Sequence, residues 1–232
     1  MRKFACTHVS WHDDLVTTRR AGLRERKKQA TREALREAAL RLAMERGPNN
    51  VRVDDIAEAA GVSSRTYNNY FSSREQAIVA AVTAEREARV AAAVAARTPD
   101  VRLADAVADA IVEQYTGPGE RSRDALLLIT TSAALRDAFV GTADAIEQPL
   151  AGAIAGRLDG ADERTARVLA AGVAAAVRIA LEQWLRPATD SLAAGGLVVV
   201  SGSLPDLLRA ALAPLTPALD AAEKRPQRRQ HQ

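Results

Sequence analysis

Residues 53–71, VDDIAEAAGVSSRTYNNYF, constrain this chain more than any other stretch. Ile56, Ala57 and Ala60 recur at the spacing of one helix face, so they predict the buried side of a short helix. Gly61 follows, a residue that takes positive φ without steric cost. Ser63 then carries a side-chain oxygen suited to capping a second helix, and Val62 is placed to fill the angle between the two. Two short helices joined in this way form the helix-turn-helix arrangement, which lays its second helix in the DNA major groove. Tyr67, Tyr70 and Phe71, three of the chain's eight aromatic residues, fall in that second helix.

The rest of the chain reads as all-α. Ala and Leu dominate, β-branched runs are short, and Gly and Pro sit mostly between periodic segments. A length of 232 residues allows one large domain, or a small one plus a large one. Charge is uneven along it. Residues 1–80 hold 15 Lys+Arg against 10 Asp+Glu, and the remainder 17 against 19. A basic first third on a near-neutral remainder points to a polyanion met by one end only; a solvated charged surface is the alternative. The single cysteine, Cys6, excludes an intramolecular disulfide, and no uncharged run approaches the ~18 residues of a membrane span. With no secretory h-region either, a cytoplasmic protein is expected.

Residues 1–20 show no periodicity and read as a disordered extension; Cys6, His8 and His12 offer three metal ligands without a fourth. From Arg19 to Arg36 runs a basic block that passes into a helix with Leu35, Ala38, Ala39 and Leu42 on one face, stopped by Gly47-Pro48. Ser72 and Glu75 have the spacing of a capping box opening a further helix. No breaker occurs before Thr98-Pro99, so that helix is expected to run from Ser73 to about Ala96. The expected organisation is a three-helix head over 21–80, linked by this long helix to a helical effector-binding and dimerisation body over 81–222. A basic tail follows over 223–232. Within the body, helices are expected at about 100–116, 121–133, 134–158, 163–186 and 204–222. The apolar run Leu197–Val200 lacks a partner strand and reads as loop.

Residues 24–79 resemble the amino-terminal domain of the tetracycline-repressor family of bacterial transcriptional regulators. The resemblance rests on Ala38-Ala39, Gly47, Asp54-Asp55-Ile56-Ala57, Ala60-Gly61-Val62-Ser63, Thr66, Tyr70-Phe71 and Ser73-Arg74-Glu75. It implies an all-helical homodimer that binds a palindromic double-stranded DNA operator, usually a repressor released by a small-molecule effector. It also implies a phosphate contact at Thr31. The Trp184 region and Ser203-Leu204-Pro205 are similar to regulators whose body takes acyl-CoA-like ligands. Three positions depart from the family. Arg52 stands where a capping Thr is common, Arg65 where a small residue is usual, and Asn68 where a phosphate-contacting Tyr is usual.

At about 100° per residue, Tyr67 and Phe71 share the inner face of the second helix. Arg65, Thr66 and Asn69 lie opposite, where Arg donates twice to guanine and Asn pairs with adenine; these are the expected base contacts. Asn68 and Tyr70 flank them toward the phosphates. Ser63, Ser64 and Arg52 join them as phosphate candidates, and so does Arg74, beside outward-pointing N–H groups at a helix start. Lys27 and Lys28, with Arg24 and Arg26, form an arm for the backbone or minor groove, or else a solvated tail.

In the body, Gly172, Ala175, Ala176 and Ile179 on one long helix, with Leu204, Leu207, Leu208, Ala211 and Leu212 on the last, are the expected dimer interface. Arg178 is a candidate partner for an anionic effector group, or a charge at the surface. The effector itself is not legible. An enzyme is not expected: the chain has three His, one Cys and no Gly-rich phosphate loop, and exposed acid pairs such as Asp54-Asp55 and Glu85/Glu87 read as solvated charge. Neither metal nor cofactor is expected. An architectural DNA-binding protein without effector control is the alternative function.

Overall fold

A computed structural model describes residues 11–117, 120–158, 163–185 and 203–224, and every regular element among them is helical. The expectations for Cys6 and His8, for the Leu197–Val200 run and for residues 225–232 lie outside the described residues. Helix α1 (Trp11–Arg46) begins ten residues before the expected head boundary. It runs through Gly22 without a break and ends at Gly47, whose φ of +78° stops it as expected and turns the chain into a 3₁₀ turn at Pro48–Asn50. The residues around Lys27 and Lys28, expected as an arm or a solvated tail, are therefore helical.

Helices α2 (Val53–Ala59) and α3 (Ser64–Asn68) are joined through Gly61 at φ +69°. Helix α1 packs on α2 and on α4 (Arg74–Thr83), and α2 packs on α3. This closes a head core of Leu35, Ala39, Leu42, Val51, Ile56, Tyr67, Phe71 and Ile78, all essentially removed from water. The expected continuous helix from Ser73 to Ala96 is corrected: it breaks after Thr83 and restarts as α5 (Arg86–Ala96). Glu85 at the break has φ +60°, a left-handed conformation that costs a non-glycine residue about 1 kcal/mol. No Gly or Pro announces it. Tertiary packing imposes it, sending α4 along α1 and α8 (Ala133–Gly141) while α5 lies against α6 (Leu103–Thr116) and α9 (Glu147–Arg157). The Ala84 carbonyl accepts from Arg89 Nη1 at 2.9 Å.

The body continues with α6 (Leu103–Thr116), α7 (Glu120–Thr131), α8 (Ala133–Gly141), a 3₁₀ segment (Thr142–Ile146) and α9 (Glu147–Arg157). The single segment expected over 134–158 is thus two helices with a tightened link. Helix α10 (Glu163–Trp184) packs on α9 and on α11 (Leu204–Leu212). Pro214 and Pro217 divide the single helix expected over 204–222 into α11, a 3₁₀ turn and α12 (Thr216–Glu223). Glu223, assigned by sequence to the tail, belongs to α12. Its carboxylate accepts from the Leu103 N–H at 3.1 Å, satisfying a backbone donor at the start of α6, and pairs with Arg157 Nη2 at 3.5 Å. Arg157 also donates to the carbonyls of Arg97 and Val101, fastening α9 to the α5–α6 link.

The expected dimer residues divide. Leu204, Leu208, Leu212 and Ala176 are buried against their own chain, because α10 and α11 turn their principal apolar stripes toward each other. A Cβ on Gly172 would stand 3.4 Å from Leu215 Cδ2, so that glycine admits the protein's own 3₁₀ turn. Ala175, Leu207 and Ala211 are half-buried, and Ile179 is 53% exposed. Val168, at 66%, extends the open stripe along α10.

Candidate nucleic-acid interface

Helix α3 is held by its own first residues. Ser63 Oγ accepts from the Thr66 N–H at 3.2 Å and pairs with the Thr66 hydroxyl at 2.9 Å, making Ser63 the expected cap. Ser64 donates its hydroxyl to the Asp54 carboxylate, tying α3 to α2. Asp55 accepts from the Arg52 N–H at 3.0 Å, so a carboxylate reaching back satisfies the cap residue's own backbone donor. Asp54 and Asp55, read from sequence as solvated charge, are structural. Their place in the first turn, where negative charge suits the helix dipole, was the available signal.

On the inner face, Tyr67 is fully buried and its hydroxyl donates to the Ser73 carbonyl at 2.7 Å. Burial, with the Glu75 charge adding to it, pushes its pKa from 10.0 up to about 12. Its ring centroid lies 5.8 Å from that of Phe71, and the Arg32 guanidinium sits 5.7 Å from the Phe71 centroid. These contacts fix the roll of α3, and with it what α3 presents outward. Arg65 and Asn69 are exposed, Thr66 is half-buried beside them, and Asn68 is exposed at the helix end. The Arg65 guanidinium makes no ion pair or hydrogen bond among the described residues. It is a free cation on a rigid face.

The remaining phosphate candidates differ in availability. Lys27, Lys28 and Arg52 are exposed. Thr31 is half-buried and its hydroxyl donates to the Lys27 carbonyl at 2.9 Å. Tyr70 is half-buried and packed on the head core. Arg74 is a correction. Its Nη1 donates to the carbonyls of Asn49 (3.1 Å) and Val51 (2.9 Å), and its Nε to Glu75 at 2.7 Å. The guanidinium points back into the head and bolts the 3₁₀ turn to α4, because those carbonyls, left open by the turn, are nearer than any outside anion. Burial works against the Glu75 carboxylate's charge, but the Arg74 bond and local hydrogen bonds outweigh it and hold the pKa below its ordinary value. The capping box also moves by one residue. Ser73 caps α4 through the Gln76 N–H at 3.1 Å, and Gln76 Oε1 accepts from the Ser72 N–H at 2.8 Å.

Residues 35–81 match the family model of bacterial regulatory proteins, tetR family, a span that takes in most of the folded head and ends short of the body. A similar protein is the HTH-type transcriptional regulator TcmR of Streptomyces glaucescens, 39% identical over 71 residues. That alignment spans 31% of this chain and 31% of the relative's length.

Proposed function

We propose that the chain, whose head matches the tetR family model over residues 35–81, is a repressor that grips a palindromic operator as a homodimer and lets go when a small molecule occupies its body. The observation that carries the DNA-reading part is the outward face of α3. Arg65 and Asn69 stand free there, opposite the buried Tyr67, and both side chains match base edges in the major groove. Lys27, Lys28, Arg52 and Asn68 supply the grip on phosphates, which is why affinity should fall steeply with salt. No helix of the described residues is long and apolar enough to cross a membrane, and the protein is proposed to act in the cytoplasm, without catalysis.

Support for the homodimer comes from α10. Val168 and Ile179 are large apolar side chains left in water, with Ala171 and Ala175 between them at helical spacing. Two copies of such a stripe can pack closely about a two-fold axis. Footprinting the full chain on the DNA upstream of its own and neighbouring genes tests the proposal. Two protected half-sites related by a two-fold axis are expected. Equal affinity for every duplex would replace this reading with the architectural one.

A further inference from the structure

The body holds a buried cation with no counter-charge. Arg86 opens α5 directly after the left-handed Glu85, and it is 8% exposed. Its Nε and Nη1 are buried without a hydrogen-bond partner, and no carboxylate among the described residues lies within 4.0 Å of it. Glu87, next but one in sequence to Glu85, makes no ion pair with it, and Arg89 is occupied by Gln114 and the Ala84 carbonyl. The guanidinium carbon instead sits 4.4 Å from the ring centroid of Tyr115 on α6 and 5.4 Å from that of Phe139 on α8. Tyr115, also 8% exposed, has a buried hydroxyl without a hydrogen bond of normal geometry, and it interacts electrostatically with the Arg86 guanidinium.

Such an arrangement is costly. An ion taken from water without a counter-charge loses its hydration, and two aromatic faces return only part of that loss. Burial holds the guanidinium's pKa below its ordinary value and lifts that of the Tyr115 phenol, the directions expected of groups that water does not serve. Buried polar groups in folded proteins are nearly always satisfied, so a cluster of orphaned donors in one place calls for an acceptor from outside the chain. Arg178, the sequence candidate for this role, is already engaged at the surface with Glu182 at 3.5 Å and Asp144 at 4.0 Å.

We propose that Arg86 and Tyr115 receive the carboxylate of a small organic anion, with the Tyr115 and Phe139 rings against its apolar part. This rests on the reading of the body as effector-binding and names the chemical class of the effector. The site joins α5, α6 and α8 at the foot of α4, and α4 packs on the head through α1. An anion arriving there changes the balance of forces at the strained α4–α5 joint, beside the packing of α4 on α8 that also links body and head.

The test uses the full chain with benzoate and decanoate as probes and benzamide and decanamide as neutral isosteres, read by calorimetry and thermal melting. At least one acid is expected to bind saturably and raise Tm where its amide does not. Arg86→Met should weaken that binding roughly tenfold or more, the scale of a lost charge-assisted bond. Without ligand, Arg86→Met should melt at or above the wild-type temperature, because an apolar side chain replaces an unpaired cation. Tyr115→Phe, which keeps the ring, should fold normally and bind the acid more weakly. The proposal is overturned if neither acid binds in preference to its amide, or if Arg86→Met lowers Tm in the absence of ligand. Operator release, followed by fluorescence anisotropy, separates the two readings. Acids that bind yet leave DNA bound would keep the site and remove the effector role; specific operator binding without acid binding would do the reverse.

Discussion

Arg65 and Tyr67 lie two residues apart on one five-residue helix and have opposite fates. Arg65 is exposed and unpaired, so Arg65→Ala should leave the fold intact, cost operator binding about 1–3 kcal/mol and relax base preference at one position. Binding assays on operators varied at single bases check this; an equal loss on every sequence would make Arg65 a phosphate contact. Tyr67 is buried as the neutral phenol, with a pKa of about 12 in the fold against 10.0 for the free group. A group raised in this way contributes stability that is complete below pH 10 and lost as pH climbs from 10 toward 12. Melts across that window should show the head weakening, and Tyr67→Phe, though it gives up the Ser73 bond, should flatten the dependence. The exposure of Arg65 and the burial of Tyr67 were both legible from helical angle alone. Arg86 was not. Within E-R-E-A-R it reads as one more solvated charge, and only the fold reveals that the chain turns beside it and carries it inside.

At the scale of elements, the legible boundaries were those written in backbone chemistry. Gly47 and Gly61 take the positive φ expected of them, Ser63 caps α3, and the prolines break the last segment. Long-range packing decided the others. The α4–α5 break falls at Glu85 without a breaker, and the α4 cap slid from Ser72 to Ser73 because two adjacent serines leave the choice to Gln76 and the surrounding contacts. Arg74 belongs with these. Its place near a helix start suggests a phosphate site, and its actual partners are carbonyls 23 and 25 residues earlier in the chain. Arg74→Ala should therefore destabilise the head by about 2 kcal/mol, the worth of charge-assisted bonds to partly buried carbonyls. The salt slope of DNA binding should stay unchanged. Urea melts and a salt titration decide it; a slope shallower by about one phosphate would restore the contact role.

Over the whole molecule, a head in which α1 to α4 close around Tyr67 meets, through α4, α7 and α8, a body whose α10 and α11 bury their main stripes in each other. What remains outward on α10 is the narrow row of Val168, Ala171, Ala175 and Ile179. Ile179→Glu should yield a folded monomer by sedimentation, with stability within about 0.5 kcal/mol of wild type as for other surface changes, and with operator affinity sharply reduced. A dimer that survives this change would place the two-fold axis elsewhere. The inward turn of Leu204, Leu208 and Leu212 carries a further consequence. A protomer whose last helices are already covered can persist alone, so the proposed pairing would be a separate equilibrium governed by abundance. At low copy number, occupancy of a two-fold operator would then rise with the square of the number of chains in the cell. Gene dosage would become an input to the switch beside its chemical signal.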